Sequence, residues 1–222
     1  MTFSIYSQLT IPDTERYISL TREDAEFIFS FLQNKKITST LEIGLAYGCS
    51  ASYILSATKS IHYVIDPFQK DFDHMGMKNI KKLGLDHLLQ FENGCSHEVL
   101  PRLLKDGKNF DFVFIDGDHK YDSIFVDFYY ADLLLNQNGY VLFHDIWMSS
   151  TQMICSWINT NKTNYAFIPT SPHNFAFYQK KGQDHRAWDH FNEFHVIENF
   201  SIANRLKSKI FRMFRIYKGG NE

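Results

Sequence analysis

Residues 110–121 read Phe-Asp-Phe-Val-Phe-Ile-Asp-Gly-Asp-His-Lys-Tyr, an apolar run that stops in two carboxylates, Asp116 and Asp118, and an imidazole, His119. A second run, residues 139–146, reads Gly-Tyr-Val-Leu-Phe-His-Asp-Ile and stops in the same way at His144 and Asp145. An imidazole titrates close to working pH, so a grouping of this kind suits proton transfer. In an open α/β sheet ligands bind outside the carboxyl ends of the strands, which is where these residues fall. Adjacent side chains on a strand face opposite ways, so His144 reads as a hydrogen-bonded residue pointing into the sheet. Asp118 reads as a cap for the helix that follows. Asp116 and His119 are the leading pair.

A second set of residues looks built for a ligand. Residues 41–48, Leu-Glu-Ile-Gly-Leu-Ala-Tyr-Gly, follow a strand and open a helix. Gly44 permits a tight turn, and Gly48 would let backbone approach a ligand closely. Their spacing departs from the GxGxxG of nicotinamide enzymes. Asp66 ends the next strand about twenty residues later, where a ribose-binding carboxylate belongs in nucleotide-binding α/β folds; an Asp before Pro67 also suits a plain turn. Ser96 closes Asn93-Gly-Cys-Ser96 after a third strand, placed either against a ligand or as a helix N-cap.

The elements that position these residues follow from periodicity. Thr21-Arg-Glu-Asp24 resembles a capping box, with Ala25, Ile28, Phe29 and Leu32 as the apolar stripe of its helix. Strands are expected at 38–43, 61–66, 88–92, 112–116 and 140–144. Helices are expected at 48–57, 71–83, 96–104, 121–135 and 148–160. This alternation argues a doubly wound, mainly parallel α/β sheet. Residues 165–178 read as two strands around a Pro-containing turn, an antiparallel hairpin that closes a seven-stranded sheet. Trp147 is a candidate wall for a substrate pocket or a packed helix start, and His173 and Asn174 fall in the hairpin turn. The expected domain spans residues 1–183, with a mostly helical extension over 184–222. Within it, residues 202–218 interleave bulky apolar side chains with six cations. That pattern suits packing on the domain or a twin subunit, or contact with an anionic surface.

The 222 residues are 44% hydrophobic and 22% charged, enough chain for one domain with a real core. A net charge of -2 gives no overall pull toward nucleic acid. Three scattered cysteines make no disulfide framework and favour a reducing compartment. The first residues lack the pattern of a signal peptide, and no apolar run approaches membrane-spanning length. A cytoplasmic protein without stable membrane insertion is the expectation.

Glu42 followed by Gly44-x-x-x-Gly48, Asp66 and the closing hairpin resemble the class I S-adenosylmethionine-dependent methyltransferases, a Rossmann-like fold. Residues 114–121 together with Phe143-His-Asp145 resemble a subset of these, the small-molecule O-methyltransferases of sugar and catechol type. The resemblance covers roughly residues 38–180. It implies S-adenosylmethionine as cofactor, bound by Glu42, Gly44, Gly48, Asp66, Ser96 and Asp116. It implies a divalent metal, Mg or another, on Asp116 and Asp145, with His119 as base. The acceptor would be a small hydroxylated molecule, and N- or C-terminal helices would serve a homodimer. Where the metal-binding relatives often show two acids, this chain has His144-Asp145; imidazole suits Mn²⁺, Fe²⁺ or Zn²⁺ better than Mg²⁺.

Overall fold

A computed structural model describes residues 4–170 and 173–195. Its centre is a seven-stranded sheet of β1 (Ser39–Ile43), β2 (Ile61–Ile65), β3 (Leu89–Glu92), β4 (Phe110–Ile115), β5 (Leu135–His144), β6 (Tyr165–Ile168) and β7 (Phe175–Lys180). The order across the sheet is β3-β2-β1-β4-β5-β7-β6. The first five strands pair in parallel, and β7 runs antiparallel to both β5 and β6. The order reverses between β1 and β4, so their carboxyl ends flank the crevice where ligands of such sheets bind.

Among the described residues seven α-helices accompany the strands: α1 (Ile5–Gln8), α2 (Arg22–Leu32), α3 (Cys49–Thr58), α4 (Met75–Lys82), α5 (Ser96–Lys105), α6 (Tyr121–Leu134) and α7 (Ser149–Asn161). Thr21 caps α2 as its sequence predicts, its hydroxyl oxygen accepting from the Asp24 backbone N–H at 3.1 Å. Phe110, Val113 and Ile115 of β4 face a core shared with α5, α6 and α7, while Phe112 and Phe114 face α2 and α3. This alternation buries both faces of β4 from Phe112 to Ile115, and the polar site residues follow at its end.

Two expectations change. β5 begins at Leu135 rather than near 140, and an irregularity between Phe110 and Phe112 absorbs the extra residues. Asn136, Asn138 and Gly139 disguised this part as a turn. Residues 184–195 are not helical; side chains tie them down, with Asp184 against Lys162 and Asn192 bonded to Asn161. The basic stretch 202–218 lies outside the described residues.

Candidate functional site

The two motif loops meet where the sheet order reverses. Gly44, at the end of β1, has φ +94°, and a Cβ there would lie 2.2 Å from the carbonyl oxygen of Asp116 at the end of β4. Only glycine permits this approach, which brings the glycine loop against the acid and imidazole cluster. Gly48 also has a positive φ, +71°, but its missing side chain makes room for Gly76 at the start of α4, not for a ligand.

The remaining cofactor candidates hold the loop from behind. Asp66 is 4% exposed. Its Oδ2 accepts from the backbone N–H groups of Leu45 and Ala46 and from the Gln69 amide, and Oδ1 accepts from the Phe68 N–H. Four donors use most of a carboxylate's capacity, so Asp66 clamps the loop instead of presenting free oxygens to a ribose. Glu42 is fully buried in β1, accepting from the Ser50 hydroxyl and pairing with His62 Nε2 at 2.8 Å. Burial raises its pKa, against the opposing pull of His62 and Ser50. Its place is beneath the loop, not in the cleft. Gln69 and Asn79 donate to the loop carbonyls of Ala46 and Tyr47, contacts for which the sequence carries no signal. Ser96 begins α5, which has Cys95 as N-cap, and interacts with the buried Asp127.

At the end of β4 and β5 four titratable side chains converge. His144 Nδ1 is 3.0 Å from Asp116 Oδ1 and 3.5 Å from Asp145 Oδ1. His119 Nε2 is 2.9 Å from Asp145 Oδ2 and 3.7 Å from Asp116 Oδ1. Asp145 Oδ1 accepts from the Trp147 indole at 2.7 Å and from the Asn174 amide at 2.9 Å. The expectation that His144 points into the sheet is therefore corrected. β5 ends at His144, and Asp145 takes a left-handed turn, φ +55°, so strand alternation no longer separates the two side chains. Asp118 bonds Ser123 and Lys120 at the start of α6, whose N-cap is Lys120.

The cluster's electrostatics are strongly coupled. Burial acts to lower the His119 pKa, but hydrogen bonding and charge from Asp116 and Asp145 outweigh it and raise it to about 10. His144 is raised to about 9 by the same contest, with Asp116 the main opposing charge. Burial acts to raise Asp145, yet His119 and His144 bring it down to about 2. As two ion pairs, the rings keep their protons; a cation held by the same carboxylates reverses that balance. Asp116, His144 and Asp145 each offer a ligand atom, all within 4.8 Å of one another. Beyond them, His173 pairs with Asp24 of α2 at 2.8 Å and packs on Phe27, which links α2 to the hairpin turn.

The sheet order, five parallel strands closed by an antiparallel hairpin, is that of the Rossmann-like methyltransferase fold. Residues 41–146 match the family model described as a methyltransferase domain. The chain is similar to a caffeoyl-CoA O-methyltransferase of Medicago sativa, 29% identical over 105 residues, which are 46% of this chain and 42% of that protein. It is also similar to tricin synthase 2 of Oryza sativa subsp. japonica, 30% identical over 115 residues, 50% of this chain and 39% of the relative. The chain thus spans less than half the length of the curated relatives it matches. Among solved structures, the O-methyltransferase TomG of Streptomyces achromogenes, in complex with SAM, superposes with a TM-score of 0.67 at 17% identity, covering 82% of this chain and 91% of that one. An O-methyltransferase from Bacillus cereus in complex with SAH gives 0.61 at 14% identity, over 73% of this chain and 83% of the other. At such identities these structures speak for the fold.

Proposed function

We propose that this chain is an S-adenosylmethionine-dependent O-methyltransferase acting on a small hydroxylated acceptor, a sugar or related metabolite, with help from a divalent metal. The observation that carries this reading is the meeting of the Gly44 loop with the Asp116, His119, His144 and Asp145 cluster at the reversal point of the sheet. This meeting supports reading the glycine loop as the cofactor loop and the cluster as the proton-handling group of one crevice.

The Gly44–Gly48 loop and the start of α3 receive the cofactor, and Ser96 borders its far end. Asp66 and Glu42 contribute by fixing the loop, which leaves little to reorganise on binding. When bound, S-adenosylmethionine supplies an activated methyl electrophile. A divalent ion on Asp116 and Asp145 would act as a Lewis acid that lowers the pKa of the acceptor hydroxyl. His119 is the most exposed member of the cluster, 36% at its side chain, and moves the acceptor's proton while Asp145 Oδ2 orients its ring. Trp147, His173 and Asn174 border the acceptor. Residues 1–183 form the catalytic unit in this reading, in the cytoplasm, with N- or C-terminal helices available for a homodimer.

Calorimetry with S-adenosylmethionine, followed by a panel of hydroxylated acceptors with labelled cofactor, tests the proposal. His119→Ala should bind cofactor as the parent does and lose turnover by about a hundredfold or more. Absence of cofactor binding by the parent chain sinks the reading, and full turnover by His119→Ala sinks the assignment of the base.

A further inference from the structure

His144 occupies a position that changes which ion the cluster can hold. Ligands on one ion at about 2.0–2.2 Å are separated by roughly 3.0 Å at right angles and 3.5 Å in a tetrahedron. The spacings from His144 Nδ1 are 3.0 Å to Asp116 Oδ1 and 3.5 Å to Asp145 Oδ1. The ring lies against Phe114 and Phe175, whose centroids are 6.3 and 5.5 Å away, and this packing sets its orientation. Trp147 and Asn174 both donate to Asp145 Oδ1, which fixes this carboxylate as second-layer donors fix metal ligands elsewhere. A ring nitrogen in a set of two carboxylates is a poor match for magnesium, which prefers oxygen and retains water, and a good match for borderline ions.

Building on the methyltransferase reading, we infer that His144 is the third ligand of the site and makes it selective for a borderline divalent transition ion over Mg²⁺.

The test uses the full chain, freed of metal by chelation, with Co²⁺ as the probe. Co²⁺ reports nitrogen ligation through its visible absorption, and calorimetry gives the stoichiometry. One Co²⁺ should bind per chain and resist a hundredfold excess of Mg²⁺. In His144→Asp, an all-oxygen set, Co²⁺ should weaken about tenfold or more and Mg²⁺ should compete. Displacement of Co²⁺ by Mg²⁺ in the parent chain overturns the inference, as does an unchanged preference in His144→Asp. Should that variant fail to fold, the competition in the parent decides. Cofactor binding measured in parallel separates the two claims. Cofactor binding without Co²⁺ selectivity removes the His144 assignment alone, whereas selectivity without cofactor binding removes the methyltransferase reading and leaves the metal site.

Discussion

At Gly44 one added methyl group would press the two halves of the site apart. Its Cβ would fall 2.2 Å from the Asp116 carbonyl, on a backbone at φ +94°. Gly84 has a φ of +71° and nothing within 4 Å of a Cβ, so it carries the conformational cost without the collision. Gly44→Ala should therefore cost more than about 3 kcal/mol and Gly84→Ala about 1 kcal/mol by urea denaturation. Equal losses would show that close approach is not what Gly44 provides. Asp127 offers a test by pH. It is 1% exposed, its Oδ1 lacks a hydrogen-bond donor, and burial raises its pKa from 3.8 to about 6. The folded state then holds this proton more tightly than the unfolded chain, so stability falls as pH rises from about 4 to 6. The loss is on the order of 3 kcal/mol. Asp127→Asn should flatten that slope in stability measured across the window, and an unaltered slope would assign the titration to other groups. Asp116 and His119 were legible because acid and imidazole close an apolar run. His144 was misread because alternation holds only while a strand lasts, and the left-handed turn at Asp145 is a backbone event that an Asp does not announce.

At the level of elements, the alternation of strands and helices was readable because the buried strands are short apolar runs between polar turns. The loop clamps were not: Asp66 reads as a ribose-binding or turn carboxylate, and Gln69 and Asn79 as ordinary surface residues, until tertiary packing brings them to the glycine loop. The start of β5 was hidden for a similar reason. The same limit applies to the join between α6, α7 and the chain after the hairpin. Lys162, 4% exposed, donates to Asp132 of α6 and to Asp184, each at 2.6 Å, and Arg186 holds Asp184 from outside. A buried cation between two carboxylates is costly to remove from one side only. Lys162→Ala should lose about 3 kcal/mol or more in chemical denaturation while leaving cofactor affinity unchanged. A loss below 1 kcal/mol would mean that water already screens the pair.

For the molecule as a whole, no helix among the described residues is long and apolar enough to cross a membrane. Every residue assigned to the site lies before 175, so a chain ending at residue 195 should bind S-adenosylmethionine as tightly as the full chain. Weaker binding, read by calorimetry, would show that the basic stretch contributes to the cleft. The fold also orders events in time. β7 is the last strand among the described residues, yet it lies inside the sheet between β5 and β6, and its leading turn carries Asn174 to Asp145. A chain still emerging from the ribosome can pair β1 through β5 and assemble Asp116, His119, His144 and Asp145. It cannot brace Asp145 until about residue 180 has been made, because the strand that does so has not yet arrived. The nascent protein thus holds the acids and imidazoles of its site before it holds the geometry that puts them to use.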